Sequence, residues 1–183
     1  MRFNEHYNVR GRHSFLSPSQ YHWVNYNEEQ LKNRYLSYQA KERGIELHAL
    51  AETCIRLGVK LARNKNTLNQ FVNDAIGYKM ISEQPLFYSE NCFGTADAIS
   101  FRGNLLRIHD LKTGSVPASM TQLDVYAAIF CLEYGFSPKE IEIELRIYQS
   151  NDVQISTPEP EDIQHIMDTI VEFDKCLEEY KAI

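Results

Sequence analysis

The chain has 183 residues, of which 43% are hydrophobic and 24% charged, and its formal net charge is −6. This length suits one globular domain with an ordinary core, and the composition excludes a disordered chain. No run of about 18 apolar residues is long enough to cross a membrane, the N-terminal residues lack the apolar stretch of a signal peptide, and net acidity excludes a simple nucleic-acid coat; the expected location is the cytoplasm.

Residues 1–16 read as irregular. Ser17 and Pro18 read as cap and first position of a helix. Helical spacing runs over Glu28–Arg43, stops at Gly44 and resumes over Ile45–Arg63, with an apolar stripe of Leu47, Leu50, Cys54, Leu57 and Leu61. Another helix is predicted over Thr67–Ile76. The period then changes to two. Strands are predicted over Met80–Tyr88, Phe93–Phe101 and Leu105–Thr113, the last two joined by the turn Arg102-Gly103-Asn104. A helix follows over Met120–Tyr134. Ile141, Ile143, Leu145 and Ile147 alternate with polar residues and mark a strand, with Val153–Ser156 as its pairing partner. Ile163, Ile166, Met167, Ile170, Phe173 and Leu177 give a closing helix, Pro160–Tyr180, one apolar face. This order predicts one α/β (α+β) domain over residues 1–183, a mixed sheet flanked by helices.

Charge is unevenly spread. Residues 1–91 carry twelve Lys/Arg and nine Asp/Glu, whereas residues 92–183 carry seven and sixteen. An acidic half suits divalent cations and a basic half suits phosphates. The four cysteines, Cys54, Cys92, Cys131 and Cys176, are widely separated. With no CxxC pair, they read as reduced core residues and not as zinc or redox ligands.

The chemistry concentrates around the predicted hairpin. Asp110 and Lys112 are two apart on one strand and share a face with Leu106 and Ile108, while Leu105, Arg107, His109 and Leu111 take the other. Asp97, thirteen residues before Asp110, lies on the partner strand. Two carboxylates brought together repel unless a cation sits between them, and hard oxygen donors suit Mg²⁺ or Mn²⁺. By itself, Asp-x-Lys reads better as a surface ion pair.

The segment around Gly94, Asp97, Asp110, Lys112 and Thr113 resembles the Gly-x-x-Asp and Asp-x-Lys-Thr signature of the RecB-like branch of the PD-(D/E)xK nuclease superfamily. Gln122 and Tyr126 match the family's Gln-x-x-x-Tyr, and Gly44 and His48 its Gly-x-x-x-His. All four motifs occur in the family's order, from about Ser17 to Tyr134. The resemblance implies a restriction-endonuclease-like sheet. It implies a metal held by His48, Asp97, Asp110 and the Leu111 carbonyl, with Lys112 as catalytic lysine and Gln122 and Tyr126 bracing the site and touching DNA. Glu52 is either a partner for His48 or a solvated helix charge, and Glu83, on the strand before the hairpin, either resembles an acidic residue of some relatives or is a solvated strand end.

Arg56, Lys60 and Arg63 read as a basic stripe beside the His48 face that meets phosphates, or as a solvated helix face. Tyr21, Trp23 and Tyr26 read as packing aromatics or as platforms for unpaired bases. The cysteine spacing lacks the iron–sulfur pattern of some relatives, and there is no GxxxxGK[ST] helicase motif. The implied activity is Mg²⁺- or Mn²⁺-dependent deoxyribonuclease, acting as an exonuclease in DNA recombination or repair and similar to stand-alone phage enzymes. The expected partners are DNA and either a second copy or a recombination protein. The alternatives are an endonuclease of the same superfamily and a non-catalytic nucleic-acid-binding protein.

Overall fold

The computed structural model describes residues 4–9 and 11–181. Its contacts divide the chain into two compact units, Met1–Ile45 and Glu46–Ile183. The elements are α1 (Glu28–Leu57), α2 (Thr67–Gly77), β1 (Ile81–Ser89), β2 (Cys92–Arg102), β3 (Leu105–Leu111), α3 (Thr121–Tyr134), β4 (Glu142–Gln149), β5 (Asp152–Ser156) and α4 (Pro160–Lys181). Short 3-10 turns occupy Tyr7–Val9 and Pro18–Asn25. Among the described residues no helix is long and apolar enough to cross a membrane.

The second unit holds the sheet, in the order β1-β2-β3-β4-β5. Three of its pairings are antiparallel, and β3 runs parallel to β4. A parallel pair cannot be joined by a tight turn, so α3 makes the crossover between β3 and β4. The predicted mixed sheet flanked by helices is therefore present. The β2–β3 turn is built as predicted: Gly103 and Asn104 both take positive φ, 55° and 70°, the twist a two-residue hairpin favours.

Each face of the sheet carries its own core. On one, Leu106, Ile108, Leu145 and Ile147 pack with Leu123 and Ala127 of α3 and Ile163 and Met167 of α4. On the other, Leu111, Ala98 and Tyr148 pack with Ala51, Cys54 and Ile55 of α1 and Phe71, Val72 and Ala75 of α2. β3 thus alternates as expected, with Leu106 and Ile108 on one face and Leu111 on the other. All four cysteines are free thiols.

Four readings are corrected. Gly44 does not break the helix: α1 runs through it as a single 30-residue element. Gly58, placed inside a helix by periodicity, ends one instead, with φ +67° and its N–H bonded to the Ile55 carbonyl. The buried stripe within residues 46–57 is Ala51, Cys54 and Ile55, whereas Leu50 and Leu57 are exposed. Ser17 precedes a 3-10 turn, and its hydroxyl pairs with Ser19 without capping.

Candidate active site

The site forms where β2 and β3 part. Their regular pairing runs from Arg102↔Leu105 to Ala98↔His109. One step further, the Asp97 side chain replaces the ladder: its Oδ2 accepts the Leu111 backbone N–H at 2.8 Å. β3 stays paired on its other side, and the Lys112 N–H donates to the Tyr148 carbonyl at 2.9 Å. Asp110 and Lys112 thus stand at the C-terminal end of a strand fixed from both sides.

Two linked groups of side chains meet there. In the first, one donor atom each from His48, Glu83 and Asp97 lie within 4.8 Å of one another. His48 comes from α1, three residues before Ala51 and seven before Ile55, so the helix face that packs on the sheet also carries the imidazole. Its Nδ1 is 3.6 Å from Asp97 Oδ1, beyond hydrogen-bonding reach. Glu83 sits on β1 between the pairings Ser82↔Ala98 and Gln84↔Ala96, opposite Asp97.

In the second group, Lys112 Nζ donates to Asp110 Oδ1 at 3.2 Å and to Gln122 Oε1 at 2.8 Å. The ammonium is also 3.1 Å from Asp110 Oδ2. That second contact lacks hydrogen-bond alignment, so Oδ2 is a buried oxygen with no hydrogen-bond partner. The Asp110 side chain is only 6% exposed. Among the described residues, its negative charge is met by the Lys112 ammonium alone.

The two groups interact through charge. The Asp97 carboxyl is pushed up to about 6, first by burial and then by the neighbouring Asp110 carboxylate; the Leu111 N–H and His48 pull the other way, and Glu83 adds to the rise. Three carboxylates therefore face one ammonium and one imidazole. The donor set, hard oxygens with one imidazole, fits Mg²⁺ or Mn²⁺.

The helix motif residues hold the site from α3. Gln122, in the first turn, is taken up by Lys112. Tyr126, one turn later, donates its hydroxyl to the Thr95 carbonyl at 2.8 Å. Its ring lies against Gly94, where a Cβ would come within 2.9 Å of Tyr126 Cε1. The glycine and the tyrosine of the two motifs are thus one packing contact.

Of the predicted residues, His48, Asp97, Asp110, Leu111, Lys112, Gln122 and Tyr126 gather here. Leu111 joins through its N–H. Asp110 lies outside the compact donor group, which Glu83 completes instead. The sequence placed Glu83 on the strand before the hairpin, but neither its position opposite Asp97 nor its φ of +51° was legible there. Glu52 does not orient His48: its carboxylate accepts from Arg56 at 2.9 Å. The predicted basic stripe does not form on one helix. Arg56 lies in the last turn of α1 and is paired with Glu52, while Lys60 and Arg63 lie beyond the end that Gly58 makes.

Behind the site, on β3 and β4, His109 is fully buried. Its Nδ1 meets the Tyr148 hydroxyl at 3.2 Å, and that hydroxyl donates to Asp74 at 2.7 Å. Burial, then the Arg146 and Arg107 charges, hold its pKa down at about 3. A neutral imidazole so placed is a structural support under the strand that carries Asp110.

No protein-family model, no curated protein and no solved structure matches the chain.

Proposed function

We propose that the chain is a metal-dependent deoxyribonuclease of the PD-(D/E)xK type, with a restriction-endonuclease-like catalytic fold. The observation that carries this reading is the pair Asp97 and Asp110: two carboxyl groups brought together at the end of β3, where burial and the nearby Asp110 carboxylate push the Asp97 carboxyl up. Such a pair is stabilised by a divalent cation. His48, Glu83 and Asp97 form the compact donor group that would hold it, with the Asp110 carboxylate beside them as the further ligand the motif resemblance implies. When bound, such an ion supplies Lewis-acid polarisation of a phosphoryl oxygen and lowers the pKa of water.

The protein's own residues do the rest. Lys112 places a positive charge beside Asp110, where it can orient an attacking water and balance charge that builds on the phosphate oxygens. Gln122 fixes the lysine by accepting one of its hydrogens. Asp97, through Leu111, locks the strand end that presents Asp110 and Lys112. Tyr126, packed on Gly94, holds α3 against β2 so that Gln122 stays in reach. An exonuclease acting in recombination or repair is the form that the ordered motifs favour, with DNA as the partner.

Lys112→Ala is expected to lower cleavage of linear DNA by roughly 10²–10⁴ while DNA affinity stays within a few-fold. Cleavage by the purified variant at the parental rate would remove the lysine from the mechanism.

A further inference from the structure

The first unit, Met1–Ile45, carries a second feature that the catalytic site does not use. Its residues include seven Lys/Arg against four Asp/Glu, in a chain whose total charge is −6. They also include eight of the chain's aromatic residues, among them Tyr21, Tyr35 and Tyr38, which are 62%, 46% and 41% exposed. Exposed rings beside cations offer a partner both apolar faces and charge.

A pocket of about 470 Å³ opens in this unit, within the range of small-ligand sites. One wall is a stripe of α1: Arg34, Tyr38 and Lys41, with Ser37 and Glu42 beside them. Their spacings of three, four, seven and eight place them on one helical face. The facing wall brings His13, Phe15 and Gln20. Phe15 stacks edge-on against Tyr35 and Tyr38, with ring centres 5.3 and 5.5 Å apart. Arg34 donates to the Gln20 side chain and stands 6.0 Å from the centre of the Tyr26 ring. Among the described residues, Lys41 and His13 form no ion pair. Glu42 is the one acid in the lining.

We propose that this pocket is a binding site for an unpaired nucleic-acid strand, with Arg34 and Lys41 on its phosphates and the Phe15–Tyr38 wall against a base. Cations that track the backbone, combined with aromatic faces and amide groups that take any base, are the means by which single strands are held without sequence preference. Duplex DNA hides its base faces and offers the rings nothing to stack on. The charge of this unit, opposite in sign to that of the rest of the chain, suits a polyanion and not an acidic surface. That the strand is DNA rests on the nuclease reading; that it is unpaired rests on the pocket itself.

The test is fluorescence anisotropy with a labelled oligothymidylate strand and a blunt duplex of equal length, in EDTA so that nothing is cut. The intact chain should bind the single strand tighter than the duplex. Arg34→Ala/Lys41→Ala should weaken single-strand binding roughly tenfold or more and reduce the salt slope by about 1.4, the share of two phosphates. Lys41→Glu alone, on an exposed helix position, should weaken it as well without disturbing the fold, checked by circular dichroism. Single-strand affinity within twofold of the parent in both pocket variants, or no preference over duplex, overturns the proposal. Loss of binding in the pocket variants alongside a parent that cuts no DNA with Mg²⁺ or Mn²⁺ would sink the nuclease reading and leave this site standing.

Discussion

The Asp97 carboxylate accepts the Leu111 backbone N–H at 2.8 Å where β2 and β3 stop pairing. One side chain thus closes the strand ladder and belongs to the His48, Glu83 and Asp97 donor group at once. The cost is electrostatic: Asp97 is buried near Asp110, and its pKa stands near 6 against an ordinary 3.8.

Asp97→Asn follows directly. The folded pKa is raised, so the native state favours the protonated form; the stability that Asp97 contributes to the metal-free protein is fully present below about pH 4 and is lost as pH rises through about 6. The amide oxygen can still accept the Leu111 N–H. At pH 7 in EDTA, urea unfolding should find Asp97→Asn more stable than the parent by about 1–3 kcal/mol, and the gain should vanish near pH 4. A variant less stable than the parent at pH 7 would mean that the charge is not the strained element.

Gly94→Ala tests the contact between the two motifs. A methyl group there meets the Tyr126 ring at 2.9 Å, so it should destabilise the fold by about 1–3 kcal/mol. In a Tyr126→Ala background that cost should largely disappear, because the clashing ring is gone. Equal costs in both backgrounds would show that Gly94 is required for some other reason.

Glu83 holds a left-handed backbone conformation, φ +51°, that a non-glycine residue adopts at a cost of about 1 kcal/mol or more. Such strain is commonly kept where a side chain must be aimed. Glu83→Ala should weaken Mn²⁺ binding, followed by calorimetry, roughly tenfold or more, since it removes one oxygen donor from the group of His48, Glu83 and Asp97. Unchanged Mn²⁺ affinity would leave Glu83 as a strand residue only.

Gln122→Ala should lower turnover roughly tenfold with little effect on folding, because it frees Lys112 from its 2.8 Å acceptor without removing the charge. Turnover kinetics beside a thermal melt separate the two effects. A parental rate would mean that Asp110 alone positions the lysine.

Much of this architecture was written in the local pattern. Alternation placed Leu106, Ile108 and Asp110 on one face of β3, and the Gly103-Asn104 turn fixed the register that brings Asp97 to the end of that strand. Gly44 and Gly58 show where local reading fails. Helical spacing breaks at Gly44 and runs on past Gly58, yet α1 continues through a buried Gly44 and ends at Gly58, whose left-handed backbone only the three-dimensional fold selects. That single difference removed Lys60 and Arg63 from the helix and dissolved the predicted stripe. Glu83 was undervalued for a related reason: its neighbours in the sequence give no sign of the positive φ that accompanies its place opposite Asp97.

Whether the chain cuts DNA is decided by incubating the purified protein and Asp110→Ala with linear double-stranded, linear single-stranded and closed circular DNA, in Mg²⁺, Mn²⁺ or EDTA. The expected result is metal-dependent loss of linear DNA, sparing of the circle and no loss in the variant. Intact DNA under every condition, or equal cleavage by parent and Asp110→Ala, would contradict it.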